Sequence, residues 1–416
     1  MSIIVQKYGG SSVATAELIR KVAARVVATH AAGHQVVAVV SAMGKSTDGL
    51  LELARSVSQN PERRELDMLV TVGERISMAL LSMAITDLGY PAVSFTGSQS
   101  GIITTDNHTN ARIIRVTPMR LMEALDAGRI VIVAGFQGVS ERLEITSLGR
   151  GGSDTTAVAI AEAIDADSCE LYTDVSGVFT SDPRLVPDAR RMDSISFDEL
   201  LEMTATGCPK PAMRSVEYAR THRVPLHVRS AFTWEPGTWV VEEDPTMEHA
   251  IISAVTHDTS EDKITVHGVP DQPGIAATLF RALAERSVNV DMIVQNVSAA
   301  GVTDISFTVP HESLEASVGA AESCAADLGA AGVRSDADIA RVSVVGAGMK
   351  TNPGVAATVF ETLAEAGINI EMISTSEIRI SVVTRADTLA EAMRVVHSAF
   401  ELDGEVDAIV YAGTGR

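Results

Sequence analysis

Short apolar runs recur along the first 230 residues at spacings that leave room for a helix between each pair. The runs Ile3–Val5, Val36–Val40, Ala92–Phe95, Ile130–Ala134, Glu170–Thr173 and Leu226–Val228 read as strands. Helical patterns lie between them, including an amphipathic one that begins near Ala16 and an alanine-rich one from Ala157. This alternation predicts a largely parallel α/β sheet covered by helices on both faces. Several strands end in small or polar residues: Ser41-Ala42-Met43-Gly44, Thr96-Gly97, Gly135-Phe136-Gln137-Gly138 and Thr173-Asp174. Ligands of open α/β sheets bind just beyond the carboxyl ends of strands, so these termini are the candidate site positions.

After residue 250 the pattern changes, because it repeats. The stretch Asp271-Gln272-Pro273-Gly274-Ile275-Ala276-Ala277-Thr278-Leu279-Phe280, continuing to Val288–Ile293, returns 80 residues later. There it reads Thr351-Asn352-Pro353-Gly354-Val355-Ala356-Ala357-Thr358-Val359-Phe360 and continues to Ile368–Ile373. Each copy has a strand before the Pro-Gly turn (Ile264–His267, Val342–Val345), a helix after it and then β-type runs. Two copies mark a duplicated supersecondary unit rather than a solenoid. Glu235-Pro236-Gly237 and Glu242–Pro245 read as the linker between the two regions.

A formal net charge of −21 argues against a nucleic-acid surface, which must neutralise phosphates with clustered cations. Cys169, Cys208 and Cys324 show neither metal nor disulfide spacing and suit a reducing compartment. With no basic-then-apolar leader and no apolar run of roughly 18 to 20 residues, the expectation is a cytoplasmic protein without membrane contact.

Lysine is scarce, at six residues, yet one sits in the first strand-to-helix turn, Lys7-Tyr8-Gly9-Gly10-Ser11-Ser12. Paired glycines bring N–H groups close to oxyanions, the helix start adds partial positive charge, and the ammonium adds a full one: the makings of a phosphate cradle. The spacing is not that of a Walker A loop, and a plain β–α connection with a surface lysine fits the same residues. A second glycine turn, Gly149-Arg150-Gly151-Gly152-Ser153-Asp154-Thr155-Thr156, offers a guanidinium suited to a carboxylate and an aspartate able to orient an ammonium. Asp154 or Thr155 could equally be a helix cap. Tyr172–Arg184 joins a strand end to a polar loop that could hold a nucleotide or be a surface turn. Glu74 starts a helix, where an acid also suits the dipole.

In this order, Lys7–Ser12, Val40–Gly44, Gly73–Arg75, Gly149–Asp154 and Asp182–Arg184 resemble the aspartokinases, and the duplication resembles their paired ACT domains, with Ser374–Ser381 similar to the end of the second. The resemblance spans essentially the whole chain. It implies an αβα sandwich of amino-acid-kinase type over residues 1–245, then two ferredoxin-like (βαββαβ) ACT domains. The first would cover 262–337, and the second 250–258 plus 338–416, with Ile251–Thr256 crossing over as a strand. It further implies transfer of the γ-phosphoryl of ATP, with Mg2+, to the side-chain carboxylate of L-aspartate. Lys7 and Asp154 would be catalytic. Thr47, Glu74, Arg150, Gly151, Gly152 and Ser153 would bind aspartate, Glu74 its ammonium and Arg150 its α-carboxylate. Tyr8, Gly9, Gly10, Ser41, Thr173, Asp174, Val175, Phe179, Thr180, Arg184 and Lys210 would bind nucleotide, with Gly9, Gly10 and the Ser41–Gly44 turn supplying N–H donors.

One departure stands out. After Thr206-Gly207 the family has a small residue and then a nucleotide-contacting lysine, whereas here Cys208-Pro209-Lys210-Pro211 places Lys210 one position late. Either Lys210 reaches the nucleotide by another route or the contact is lost. The resemblance also implies lysine or threonine as effector, held by Asn289, Val290, Asp291 and Gln295 in the first repeat and Asn369, Ile370 and Ser376 in the second. Asp291 would accept the effector's ammonium. The plainer alternative is that these are turn and strand-start residues. Homo-oligomerisation through the ACT domains is expected, and Met247 lies where some relatives start a separate regulatory subunit. Two further readings fit the residues: a catalytically weakened amino-acid sensor, and a related kinase acting on another amino-acid carboxylate.

Overall fold

The computed structural model describes residues 2–242, 251–295 and 301–404. Met247, the linker residues Glu243–Pro245, residue 250 and the 405–416 end of the expected second ACT domain lie outside the described residues. The first part is built on an eight-stranded sheet in the order Ser194–Ser196, Thr238–Val241, Leu226–Ser230, Ser168–Thr173, Ile3–Tyr8, Gln35–Val40, Ile130–Ala134, Ala92–Phe95. All neighbours run parallel except Thr238–Val241 against Leu226–Ser230.

Side chains alternate across this sheet, and the two faces build separate cores. Val5, Val37, Val39, Val131 and Val133 pack with helix Gly152–Ala163 and its neighbours on one face. Tyr8, Val36, Ala38, Val40, Ile130 and Ile132 pack with helices Ala16–Ala31 and Val72–Asp87 on the other. Burial on both faces explains why the strands read as unbroken apolar runs. The first helix starts at Ala16, where the Thr15 hydroxyl caps the Leu18 N–H at 3.3 Å. A smaller sheet, Ile113–Val116, Ile102–Thr104, Gln137–Ser140, Ile145–Ser147, grows from the end of strand Ile130–Ala134.

Two sequence expectations need correction. Glu235-Pro236-Gly237 is not linker: it turns the chain into Thr238–Val241, a strand of the main sheet. The alanine-rich helix begins at Gly152 rather than Ala157, since Gly151 at φ +71° leaves the preceding loop in a left-handed step that an L side chain resists. Asp154 therefore stands in the first helical turn. The helical stretch Arg63–Asp87 is long and apolar enough, by length and composition, to cross a membrane. It is broken at Thr71 into Arg63–Val70 and Val72–Asp87, and the second piece packs on helix Ala16–Ala31 and strand Ala92–Phe95.

Each repeat forms a four-stranded antiparallel sheet with two helices. The first module orders its strands Ile293–Gln295, Val302–Pro310, Glu261–Pro270, Gly332–Asp336, with helices Ile275–Glu285 and Leu314–Leu328. The second orders them Ala254–Asp258, Ile339–Val345, Arg379–Arg385, Met372–Thr375, with helices Val355–Glu365 and Leu389–Ala399. In the second module the outer strand comes from the chain before the first module, so the two are interleaved. The β-type runs after each Pro-Gly helix become strands only from Ile293 and Met372, the preceding residues making an irregular approach.

The second module is fused to the first part by a shared core. Phe179, Val186 and Ala189, from the loop after strand Ser168–Thr173, pack among Ile252, Val255, Val342, Val382, Met393 and Val396. Beside it, a Cβ on Gly207 would stand 1.7 Å from the His257 carbonyl oxygen, and the residue sits at φ +113°. Gly207→Ala is therefore expected to destabilise the protein by about 1–3 kcal/mol or more through forced separation of the 206–212 loop from strand Ala254–Asp258. Thermal unfolding would show a several-degree fall, and an unchanged Tm would contradict the close approach.

Candidate active site

Strands Ile3–Tyr8, Gln35–Val40, Ile130–Ala134 and Ser168–Thr173 are parallel neighbours, so their carboxyl ends lie along one edge of the sheet. Lys7, 8% exposed, projects to the face of helix Gly152–Ala163, where its Nζ lies 2.6 Å from Asp154 Oδ1. The other Asp154 oxygen accepts the Ala212 N–H at 3.1 Å. A Cβ on Gly9 would touch the Lys7 ammonium at 3.4 Å, and one on Gly10 would press on the Ala42 carbonyl at 2.9 Å. The two turns are stitched together: Ser41 N–H donates to Tyr8 O at 3.1 Å and Gly44 N–H to Gly10 O at 3.0 Å. Those two donors, counted from sequence as ligand contacts, are committed within the protein, which removes the Ser41 N–H from the nucleotide set.

Glu74 stands in the first turn of Val72–Asp87, which reaches the Ser41–Gly44 turn closely because a Cβ on Gly73 would lie 2.7 Å from Ala42 Cβ. Its Oε1 accepts the Ala42 N–H at 3.1 Å; its Oε2 is buried without a partner among the described residues. Burial pushes its carboxyl up to about 7, with the Ala42 N–H among the groups opposing the rise. Ser153 packs so closely on Gly135 that a Cβ there would lie 2.8 Å from its Oγ. Gly152 is buried beneath Leu148 and Phe136, while Arg150 and Gly151 are exposed at the mouth and Thr47 is half-buried in the first turn of Ser46–Val57.

A neighbouring pocket of about 680 Å3, open mouth included, is lined by Asp174, Val175, Phe179, Arg184 and Lys210. Lys210 Nζ lies 3.2 Å from Asp174 Oδ1, so the displaced lysine does face the cleft. The Thr173 hydroxyl bonds both to the Val175 carbonyl and to its N–H, shaping the turn rather than the pocket wall. Val178, Ser181, Met203, Cys208 and Pro209 also line the pocket, as do Thr256 and His257 from the second module. The sequence carried no sign of the last two; Gly207 beside the departure was the available hint.

Two expected nucleotide residues point elsewhere. Tyr8 alternates with Lys7, so its ring is fully buried on the opposite face, stacked on Tyr172 at 4.7 Å. Thr180 turns its hydroxyl into the second module, 2.8 Å from His397 Nε2.

With this geometry in view, residues 2–230 match the model of the amino acid kinase family, and 264–323 and 342–400 match an ACT domain. Aspartokinases of Mycolicibacterium smegmatis and Corynebacterium glutamicum are 57% and 54% identical to the chain over the full length of both partners. The chain belongs to the aspartokinase family. Among solved structures, the aspartate kinase of Synechocystis is 40% identical, covering all of this chain and 71% of its own, with TM-score 0.55. Aspartokinase III of E. coli, in complex with aspartate and ADP, aligns over 95% of this chain and 99% of its own at TM-score 0.81; at 24% identity that likeness is one of fold.

As in that family, the two modules of this chain are ACT domains, and their expected effector residues lie on irregular segments and short strands. Asn289, Gln295, Asn369 and Ser376 are exposed, Val290 and Ile370 half-buried. Asp291 departs from expectation: its carboxylate is already paired with Arg341, a 4% exposed guanidinium that also meets Asp258 at 3.3 Å and Glu261 at 3.5 Å. One arginine shared by three carboxylates takes up one oxygen of the exposed Asp291 carboxylate.

The Glu74 shift carries a stability consequence. Its folded-state value lies above the unfolded one, so the folded protein is penalised as pH rises from about 4.5 through about 7, by up to about 3 kcal/mol above that window. Glu74→Gln should raise Tm at pH 8 and lose that advantage below pH 4.5. Parallel melts of parent and variant across this range check it; a pH-independent difference would contradict the assignment.

Proposed function

We propose that the cleft carries out the aspartokinase reaction with Lys7 and Asp154 at its chemical centre. An oxygen of the L-aspartate side-chain carboxylate bonds to the γ-phosphorus of ATP, the bond from that phosphorus to the β–γ bridging oxygen breaks, and ADP and 4-phospho-L-aspartate leave. The substrate carboxylate is already ionised at neutral pH, so no protein nucleophile is required. What the protein must supply is position and positive charge. Lys7 supplies the charge at the transferring oxygens. Asp154 holds the ammonium in place, and is itself anchored by the Ala212 N–H. The buried ion pair is the observation that supports this reading most directly.

The unpartnered Glu74 oxygen suits the substrate ammonium, which would also draw the carboxyl back to its ionised form. Arg150, exposed at the mouth, suits the α-carboxylate, with Thr47, Gly151, Gly152 and Ser153 completing the pocket. Gly9 and Gly10 let the triphosphate approach the first turn. Asp174, Val175, Phe179, Arg184 and Lys210 receive the nucleotide, and the place of Lys210 in that wall argues against a weakened sensor. Among the described residues no cluster of three or more metal-ligating side chains is present. Mg2+ bound mainly through phosphates and water would need few ligands from the protein and would supply further charge neutralisation.

Lys7→Ala should lower kcat by about 100-fold to 1,000-fold or more without loss of fold, as removal of a preorganised transition-state charge does. Arg150→Ala should raise the aspartate KM as well. Trapping the acyl phosphate as a hydroxamate, with purified full-length protein, MgATP and L-aspartate, measures both. Near-normal kinetics for Lys7→Ala would overturn the assignment.

The same reading extends to regulation by lysine, threonine or both at Asn289, Val290, Gln295, Asn369, Ile370 and Ser376, with oligomerisation through the ACT domains. E. coli aspartokinase III has been solved with lysine and aspartate in a T-state. An effector shifts a two-state equilibrium only by its differential affinity, typically about 1–3 kcal/mol. Ser376→Phe should therefore leave uninhibited activity nearly unchanged and raise the half-inhibitory concentration at least about tenfold. Inhibition curves with each amino acid decide, and an unmoved curve places the effector elsewhere.

A further inference from the structure

Thr180 lies in the loop that lines the nucleotide cleft, yet all its polar groups are held away from the cleft. Its carbonyl accepts the N–H of Val255, in the outer strand of the second ACT domain, at 2.8 Å. Its hydroxyl oxygen accepts the Arg190 N–H at 2.9 Å, lies 3.2 Å from the Leu402 carbonyl oxygen and 2.8 Å from Nε2 of His397. His397 is fully buried on helix Leu389–Ala399, and its Nδ1 lies 2.8 Å from Asp403 Oδ1. With the ring proton on Nδ1 donating to that carboxylate, Nε2 accepts from the Thr180 hydroxyl, the shorter of the two acceptor contacts that hydroxyl makes, the Leu402 carbonyl being the other.

The residues on either side of Thr180, Phe179 and Ser181, line the cleft. Phe179 is also part of the ACT core. The same loop is tied down again where Ala189 bridges to Asp403 and where the Gly404 N–H donates to Asp188 O at 2.6 Å. Between Thr173 and Ser194 the chain has no helix or regular strand; its own cross-loop bonds, Thr180 N–H to Arg190 O and Met192 N–H to Val178 O, both at 2.9 Å, fold it back on itself, and the contacts to Asp403, Gly404, Val255 and His397 anchor it to the ACT domain.

We propose that Thr180, His397 and Asp403 form a strut through which the second ACT domain positions the nucleotide loop, making His397 a positioning residue for ATP. The inference rests on the reading of the Asp174–Lys210 cleft as the nucleotide site. Lys7, Asp154 and Glu74 stand on other elements and do not depend on the strut. Its loss is therefore read in nucleotide affinity and not in aspartate affinity or in the phosphoryl-transfer step.

The test uses the full-length protein with Thr180→Val, which keeps shape and loses the hydroxyl, Thr180→Ser, which keeps it, and His397→Leu. Val and Leu variants are expected to raise the ATP KM and the calorimetric Kd for ADP about fivefold or more, the valine change removing the hydroxyl's contacts to Arg190, Leu402 and His397 and the leucine change only the last, with kcat and aspartate KM within about twofold. Thr180→Ser should return both nucleotide constants to within about twofold of the parent. If His397→Leu does not fold, the Thr180 pair decides. Equal loss in kcat and both KM values, or failure of serine to rescue, would overturn the strut as merely structural. Lys210→Ala separates the two readings: if it weakens ATP while Thr180→Val does not, the strut is wrong and the cleft stands. If neither variant weakens ATP, both are overturned.

Discussion

Lys7 and Asp154 form an ion pair almost wholly withdrawn from water, and secondary structure rather than loop geometry puts both partners there. One ends a central parallel strand; the other stands in the first turn of the helix packed over it. Removing either partner would leave the other charge uncompensated, a cost in stability that the sheet and helix holding them can bear. The surrounding close contacts follow from it. Gly9 admits the ammonium, Gly135 admits Ser153 and the helix start, and Gly151 turns the chain into that helix.

The second constraint is the interleaving of the two ACT domains with the kinase body. Strand Ala254–Asp258 completes the second ACT sheet and at the same time walls the Asp174–Lys210 pocket through Thr256 and His257. Helix Phe197–Ala205 is gripped from the same side, with Glu202 3.1 Å from Arg379 and the Ala347 N–H 3.3 Å from Glu199. That helix leads straight into the 206–212 loop, which carries Lys210 to Asp174 and Ala212 to Asp154. A shift in the ACT pair thus has a short mechanical route to both halves of the cleft. Arg341 marks where kinase body and both ACT domains meet, since it also reaches the Ala205 carbonyl at 3.4 Å.

The architecture was readable from pattern because each level of the sequence agrees with the next. Unbroken apolar runs mean strands buried on both faces, and the repeated Pro-Gly unit means a duplicated module. The positions of Lys7, Gly9, Gly10, Glu74 and Asp154 at strand ends and first helical turns were readable because glycine turns, a lysine at a strand end and acids at helix starts are local signals. The helix start at Gly152 was missed because glycine and serine read as loop, although the left-handed step at Gly151 ends the loop there.

What local pattern could not carry was direction and company. Tyr8 and Lys7 are sequence neighbours, but strand alternation sends one ring into the core beside Tyr172 and one ammonium into the cleft. Thr180 sits in a nucleotide-type motif and Asp291 in an effector-type one, yet each is claimed by a residue more than 45 positions away, His397 and Arg341. The chain alone determined the elements, the repeat and the residue types at the strand ends, since these depend on neighbours along the backbone. Tertiary structure decided which polar groups stay open to a ligand, because a hydrogen bond is spent on whatever partner folding brings within about 3 Å, however distant in sequence.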